Sequence, residues 1–243
     1  MLKIGVMPSS FRIPFKDAAL RARDMGAKGL QPYVTEGELA PENLTADDRR
    51  DLLRFVRGCG LTFSALCADF GMDFSDYGNN AAGIKRTMSM MDLARDLDTH
   101  VITTHIGHVP DDPESTAYKN ICRTIEELGK YGDSIGVCFA TETGPESAVK
   151  LRGILERVDT KSAKVNLDPA NFVMLCGQDP VEAVHVLKDY IVHTHAKDGI
   201  KTGETTYQEL PLGTGAVPYP EYLAALRDEG FDGFLTIERE CGD

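Results

Sequence analysis

The chain has 243 residues, of which 42% are hydrophobic and 26% charged, and its formal net charge is −12. This length is close to the roughly 250 residues of one (β/α)8 barrel, so we expect a single domain over residues 1–243. The acidic balance excludes nucleic acid as an expected partner, because it repels phosphate backbones. Without a run of 18 apolar residues or an apolar signal-peptide core in MLKIGVMPSS, we expect no membrane span and a cytoplasmic location.

The cysteines do not form a recognisable motif. The sequence has six of them and no CxxC pair, which argues against a zinc knuckle or a CxxC redox site. We therefore interpret them as buried thiols. They are Cys59, Cys67, Cys122, Cys138, Cys176 and Cys241.

Short β-rich segments alternate with amphipathic stretches along the whole chain. The predicted strands cover residues 2–7, 29–34, 62–68, 100–107, 137–143, 163–168, 190–196 and 233–240. Seven helices are predicted between them, with start signals at Thr45, Pro113, Pro145 and Asp179. Eight such alternations predict a parallel sheet closed into a (β/α)8 TIM barrel. An open doubly wound sheet is the alternative, but PSSFRIPF follows the first strand where a GxGxxG turn would be expected.

The end of the sequence departs from a complete barrel. The chain stops at Asp243, three residues after the eighth predicted strand, so the last outer helix is apparently lacking. Either the chain is shortened or a second subunit covers the apolar flank. We therefore expect a homo-oligomer that forms through this flank.

Polar residues end four successive predicted strands. Glu142, Asp168, His195 and Glu238 end strands five to eight, at the barrel face where active sites lie. Each residue alone is explained as a helix cap, a surface charge or a core histidine. Together, inward carboxylates without a cation would repel one another, so the set predicts one divalent metal ion. Three carboxylates and an imidazole favour Mn²⁺ or Mg²⁺, with Co²⁺ and Zn²⁺ as alternatives.

Period-two alternation extends the candidate site. Asn166 and His193 share a face with Asp168 and His195 and would lie one layer deeper, as hydrogen-bonding groups behind the ligands. For His193, an ordinary core position is an equal alternative. Glu240 shares a face with Glu238 in the same way.

Other polar residues near the predicted mouth have two interpretations each. His105 is a candidate contact to a substrate oxygen, whereas His108 fits a solvated loop equally well. Lys197 and Arg239 would bind a substrate carboxylate or phosphate, or form structural ion pairs. The GTG at 213–215 would present N–H groups to an anion or form a simple turn. The aromatic residues of the early loops would form a wall for a sugar face or pack the loops: Phe11, Tyr33, Phe70 and Phe74.

The strings TETG, NLDPAN, HTHAKD and LTIERE, together with THIGHVP, resemble the sugar phosphate isomerase/epimerase family of xylose isomerase-like barrels. The resemblance implies one metal ion held by the four strand-end residues, with Glu142 and Glu238 acting as acid and base on either face of the substrate. Asn171 stands where D-ketose 3-epimerases often have a histidine, and we carry it over as a substrate-binding candidate. The chain is therefore more similar to ketose-phosphate epimerases and unassigned members.

Endonuclease IV shares this superfamily, but its trinuclear zinc site needs further histidines. Asn171 takes the place of one, and AKDGIKTGETTYQELP after His195 contains none. With the acidic net charge, these differences argue against DNA repair.

The expected chemistry is proton transfer next to a carbonyl, through an enediolate. Glu142 would remove a proton and Glu238 return one, which gives an isomerase or epimerase of a sugar or sugar phosphate. Loss of a β-hydroxyl would instead give a dehydratase of an inosose or dehydroshikimate type. A barrel retained as a non-catalytic binding subunit is the third hypothesis.

Overall fold

The computed structural model describes residues 2–242, and its centre is a parallel sheet of nine strands. These strands follow one another round a nearly closed barrel in the order β3-β2-β1-β11-β8-β7-β6-β5-β4. The predicted TIM barrel is thus confirmed, and the open doubly wound alternative is wrong. The strands are β1 (Lys3–Val6), β2 (Gly29–Leu30), β3 (Thr62–Phe63), β4 (Leu66–Cys67), β5 (Val101–Thr104), β6 (Cys138–Glu142), β7 (Ala163–Leu167), β8 (Ile191–Ala196) and β11 (Phe234–Ile237).

Nine strands fill eight barrel positions because the third position is interrupted. The segment predicted as one strand over 62–68 forms β3 and β4, and the second predicted strand shortens to β2. Pro32 accounts for part of this, because it has no N–H to donate to a ladder. Pairing resumes one residue later, where Tyr33 bridges Cys67 in parallel.

The outer helices pack on the barrel through apolar stripes. In the helix that follows β5, for example, Ile121, Ile125 and Leu128 are fully buried. One further short helix, Pro169–Asn171, leads from β7 into a wide helical turn at Phe172–Cys176. The helices are α1 (Phe15–Asp24), α2 (Ala46–Gly58), α3 (Ala81–Asp96), α4 (Thr116–Ile135), α5 (Ala148–Leu155), α6 (Pro169–Asn171), α7 (Pro180–Leu187) and α8 (Tyr219–Asp228).

Side-chain caps decide where several helices begin. Thr45 forms a capping box with Asp48, and Asp179 caps α7 through the N–H of Val181, as the sequence predicts. The starts predicted at Pro113 and Pro145 are wrong. Serine hydroxyls cap those two helices two residues later in each case, at Ser115 and Ser147.

One flank of the barrel carries little covering structure. Within residues 2–242 no helix follows β11, and Ile4 on the neighbouring strand β1 is 42% exposed. Association through this flank stays a prediction. Over the same residues, no helix combines the length and apolar character required to cross a bilayer.

All six cysteines are free thiols, but the prediction that they are buried holds only for Cys67. Cys241 is exposed, and the other four are partly buried.

The sequence did not predict a two-stranded antiparallel hairpin, β9 (Asp198–Lys201) and β10 (Tyr207–Leu210), which follows β8. A buried carboxylate ties the next loop to it. Asp198 Oδ1 accepts the N–H groups of Gly199 and Val217 at 2.8 and 3.1 Å. Its Oδ2 accepts those of Gly213 and Gly215, both at 2.9 Å.

The GTG segment is therefore a turn held by the protein's own carboxylate, and the prediction that it presents N–H groups to a substrate anion is wrong. A Cβ atom on Gly215 would lie 2.1 Å from Asp198 Oδ1, which explains why the turn needs glycine there.

Asp198→Asn should destabilise the fold. The substitution keeps the shape of the side chain but turns an amide N–H₂ toward backbone donors, so we expect the free energy of unfolding to fall by roughly 2 to 4 kcal/mol. Urea denaturation measures this loss. Asp232→Asn, at an exposed aspartate on the loop before β11, is the control and should change stability by less than about 0.5 kcal/mol. Equal stability of the two variants would contradict the role given to Asp198.

Candidate metal centre

Four consecutive positions of the barrel bring their polar side chains to one point. Glu142 ends β6, Asp168 follows β7, His195 lies in β8 and Glu238 follows β11. One ligand atom from each residue can be chosen so that all four lie within 4.8 Å of one another. Parallel strands meet at the same rim of a barrel, and this produces the cluster from residues far apart in sequence.

His195 Nδ1 is at the centre of the cluster. It lies 3.1 Å from Glu142 Oε1, 3.3 Å from Glu238 Oε2 and 3.7 Å from Asp168 Oδ2. All four side chains are buried, with Asp168 completely inaccessible to solvent. The three carboxylates thus surround one imidazole nitrogen in a nearly water-free space.

Two of these atoms need a partner that the protein does not supply. Asp168 Oδ2 and His195 Nδ1 are buried and make no hydrogen bond. Buried polar groups without partners are costly, and closely packed carboxylates repel one another unless a cation lies between them. The donor set fits a divalent ion, which Glu142, Asp168, His195 and Glu238 would hold together.

The charges of the clustered side chains also shift the pKa values of Glu142, Glu238 and His195. Burial is the largest single effect and raises the pKa of Glu142 and of Glu238, but His195 lowers both, together with His105 at Glu142 and Lys197 at Glu238, so both end below the usual glutamate value. Burial also lowers the pKa of His195, but Glu142 and Glu238 raise it well above the usual value. A proton on His195 and a metal ion therefore compete for the same nitrogen.

The other ring nitrogen of His195 shows how the imidazole is oriented. Nε2 lies 3.0 Å from the Oε1 atom of Gln31, a fully buried residue just after β2. Gln31 in turn donates from Nε2 to Thr103 Oγ1 at 2.9 Å. With Nε2–H donated to Gln31, Nδ1 keeps its lone pair for the cluster.

Sequence reasoning missed Gln31. The only signal was its place as a polar residue inside the predicted strand 29–34, GLQPYV.

The residues expected one layer deeper lie behind the ligands. Asn166 Nδ2 is 3.2 Å from His195 Nε2, and Asn166 Oδ1 is 2.8 Å from His193 Nδ1. His193 Nε2 is 2.9 Å from the hydroxyl of Thr236. Burial lowers the pKa of His193 far below its usual value, and nearby His195 lowers it further. A neutral His193 therefore belongs to a hydrogen-bonded layer that supports the ligand His195.

His105 lies at the mouth, between two carboxylates. Its Nδ1 is 2.8 Å from Asp69 Oδ2, and its Nε2 is 3.7 Å from Glu142 Oε1. Burial lowers the pKa of His105, but Glu142 and the hydrogen bond to Asp69 raise it to about 9. Asp69, which follows β4 and was not singled out from the sequence, orients this imidazole toward the cluster.

Both basic candidates form ion pairs. Lys197 Nζ donates to Glu238 Oε2 at 3.0 Å and also contacts Glu240. Arg239 Nη1 lies 2.8 Å from Glu209 Oε1 on the hairpin. Burial lowers the pKa of Lys197, but Asp168, Glu238 and Glu240 raise it strongly above the usual value. Lys197 is thus next to the cluster, whereas Arg239 links β11 to the hairpin.

Asn171 and Glu146 border the cluster on the side of β6 and β7. Asn171 is buried, and its Nδ2 donates to the carbonyl of Thr143 at 2.8 Å. Glu146 is 3% exposed, accepts the N–H of Gly144 on Oε1 at 3.2 Å and has no partner for Oε2. Burial raises the pKa of Glu146. It was also missed, because its buried position is not visible in the string TETGPES.

The four aromatic residues of the early loops have different surroundings. Phe74 is buried and packs on Phe139, and Phe70 lies under the guanidinium of Arg86. Phe11 is partly buried against the core. Tyr33 is 37% exposed, and burial raises its pKa, with Cys67 and Glu238 adding to the rise. Tyr33 is exposed, and its pKa responds to the charge of Glu238. Of the four aromatic residues it is therefore the one best placed to line a sugar face.

Comparison with known proteins agrees with this fold. A family model described as a xylose isomerase-like TIM barrel matches residues 19–243, so the chain belongs to this family. A xylose isomerase domain protein from Planctomyces limnophilus has a similar structure, with a TM-score of 0.86 and 24% identity over 98% of this chain and 91% of that one. D-psicose 3-epimerase from Clostridium cellulolyticum H10 has a TM-score of 0.78 and 17% identity over 99% of this chain and 87% of that one.

Sequence relatives are distant. The uncharacterized protein MJ1311 of Methanocaldococcus jannaschii is 24% identical over 60% of this chain, and inosose dehydratase of Lacticaseibacillus casei is 22% identical over 55% of it. The matches span only 53% and 49% of those two proteins, respectively.

Gln31→Leu should weaken metal binding without unfolding the barrel. It removes the acceptor for His195 Nε2–H, and loss of such a partner typically lowers metal affinity about 10- to 100-fold. Isothermal titration of metal-stripped protein with Mn²⁺ measures the effect. Gln208→Leu on the exposed hairpin is the matched control and should bind like wild type. Unchanged affinity in a folded Gln31→Leu protein would contradict the orienting role.

Glu146→Gln should make the metal-free fold more stable at neutral pH. The folded pKa of Glu146 lies above its ordinary value of 4.5, so ionisation costs the wild type stability as the pH rises from 4.5 through the folded pKa. The variant should be more stable than the wild type at neutral pH, and this gain should vanish in acid. Thermal unfolding across the pH range tests this, with the exposed Glu204→Gln as control. A gain that is constant with pH would contradict the assignment.

Proposed function

We propose that this protein is a divalent-metal-dependent isomerase or epimerase of a small sugar, working through an enediolate. The observation that carries the proposal is the cluster itself, in which two glutamates lie at opposite ends of a four-residue ligand set. Glu142 and Glu238 come from barrel strands separated by the strands that carry Asp168 and His195. A substrate seated above the cluster would have one glutamate toward each side.

The ligand chemistry favours a hard ion. Carboxylate oxygens outnumber nitrogen three to one in the cluster, which favours Mn²⁺ or Mg²⁺, while Co²⁺ and Zn²⁺ also fit an imidazole and carboxylates. When bound, such an ion supplies the positive charge that polarises a substrate carbonyl and stabilises the negative oxygens of an enediolate.

The glutamates supply the proton transfer. The lowered pKa of Glu142 keeps it ionised at neutral pH, which is the form that can accept the proton next to the carbonyl. Glu238 is ionised in the resting cluster, and the Lys197 ammonium hydrogen-bonded to its Oε2 would supply the proton that Glu238 returns from the other side. Return to the same carbon inverts it, and return to the neighbouring carbon exchanges an aldose for a ketose.

Other residues at the mouth would bind and orient the substrate. His105 presents Nε2 toward Glu142 while Asp69 holds Nδ1, so its N–H can reach a substrate oxygen next to the proton being removed. Asn171 is held against Thr143 behind Asp168 and would act mainly by shaping the floor of the site.

A dehydratase is the second candidate. The same enediolate can expel a β-hydroxyl as water, and a relative of this chain is an inosose dehydratase. The two reactions share the first proton removal by Glu142 and differ in what leaves afterwards. A cyclic keto-polyol is the substrate class for this alternative.

Glu142→Gln should abolish proton removal and leave the fold intact. Incubation of the Mn²⁺-loaded protein with a panel of ketoses and inososes in deuterated water, followed by NMR, measures exchange of the hydrogen next to the carbonyl. We expect a loss of at least about a hundredfold in Glu142→Gln, the usual scale for a missing general base. Glu240→Gln, which contacts Lys197 but lies outside the ligand set, is the control and should retain most exchange.

The products of the exchange reaction distinguish an isomerase or epimerase from a dehydratase. Deuterium incorporation with the carbon skeleton retained supports isomerisation or epimerisation, and loss of water supports the dehydratase. Absence of exchange across the whole panel would contradict both and favour a binding subunit. Full exchange by Glu142→Gln would remove that residue from the base role.

A further inference from the structure

A cleft opens beside the metal cluster, between the loop that follows β4 and the loop that follows β5. Its volume is about 580 Å³, within the range of small-molecule sites. The lining comes from two segments, residues 69–75 and 105–117. None of the four metal ligands lines it, so it is an adjoining space and not the cluster itself.

Asp69 and His105 join the cleft to the reaction site. Both line it, and His105 Nε2 is 3.7 Å from Glu142 Oε1. A substrate whose reacting carbons lie above the cluster would pass His105 and extend its far end between the two loops. The size and charge of the cleft therefore decide which substrates are accepted, through the end of the substrate that is remote from the reacting carbons.

The charge of the lining is unfavourable to a phosphate. Its ionisable side chains are Asp69, Asp73, His105 and His108, and among residues 2–242 no lysine or arginine lines it. His105 lies between Asp69, at 2.8 Å, and Glu142, at 3.7 Å, so each of its ring nitrogens already faces a carboxylate of the protein. Phosphate sites normally present arginine or lysine side chains beside backbone N–H groups, and neither side chain belongs to this lining.

The cations on the other side of the mouth are also engaged. Lys197 is paired with Glu238 and Glu240, and Arg239 is paired with Glu209. Arg12 donates to the carbonyl of Gly242. The N–H groups of the GTG turn are taken by Asp198. A phosphate would have to break one of these interactions in order to bind.

We propose that the substrate is an unphosphorylated sugar or polyol whose uncharged, hydroxylated end occupies the cleft between residues 69–75 and 105–117. This inference rests on the proposed function and narrows it. The N–H and hydroxyl of Ser75 donate to Asp73 Oδ1 at 2.9 and 2.6 Å, which leaves Asp73 Oδ2 and the Ser75 hydroxyl oxygen to accept hydrogen bonds from substrate hydroxyl groups. Met72, Pro110 and Ala117 offer apolar surface to the C–H groups of the same carbon chain.

Matched pairs of ketoses test the proposal. Hydrogen exchange in deuterated water is measured for D-ribulose, D-xylulose and D-fructose and for their terminal phosphate esters, with the same Mn²⁺-loaded wild-type protein. We expect faster exchange with the free sugar in each pair that reacts. Faster exchange with the esters overturns the inference and leaves the proposed function standing. No exchange with any of the six compounds overturns the proposed function and the inference with it.

Charge variants test where the far end lies. Asp73→Asn removes one negative charge from the cleft and Asp73→Lys reverses it, and each step should raise exchange with esters relative to free sugars by about fivefold per unit of charge. Asp76→Lys, on the same loop but outside the lining, is the matched control and should leave the ratio unchanged. An equal response of Asp73→Lys and Asp76→Lys overturns the placement in the cleft, because the effect would then be one of overall charge.

Discussion

The dominant constraint on this molecule is the burial of three carboxylates around one imidazole nitrogen. Removing carboxylates from water is costly, and placing three of them so that their ligand atoms lie within 4.8 Å of one another costs more. The protein tolerates this arrangement because His195 reaches into the middle of it and a divalent ion can satisfy Asp168 Oδ2 and His195 Nδ1. The opposite charges of His195 and the glutamates, with His105 and Lys197 beside them, outweigh burial and set the pKa directions of Glu142, Glu238 and His195.

The barrel supports this cluster with a second layer of neutral polar groups. Gln31, Asn166 and His193 form hydrogen bonds below the ligands, and they extend from β2 across to Thr236 of β11. Each of these groups is buried, so each must be satisfied within the protein. The layer therefore fixes the direction in which His195 points and leaves the open side of the cluster to the loops.

The sequence predicted the barrel and the four residues that cluster at its rim because both depend on local patterns. Strand and helix periodicity gives the order of elements, and the strand-end positions of Glu142 and Glu238 follow from it. Interactions between distant segments were not predictable in the same way. Gln31 meets His195 across 164 positions of sequence, and Asp69 meets His105 across 36. The carboxylate that accepts the N–H groups of the GTG turn was not predictable either, because nothing in the sequence marks Asp198 as the partner of that turn.

The segment from His193 to Asp198 contains four residues with different structural roles. His193 belongs to the supporting layer, His195 to the cluster, Lys197 pairs with Glu238, and Asp198 anchors the following loop. Alternation along the strand assigns three of these side chains to one face. Insertion or deletion of a single residue here would misplace all of them at once, whereas residues 69–75 and 105–117 contain none of the four clustered side chains. Divergence of specificity within this fold would thus be concentrated in those two loops, while this strand stays invariant in length.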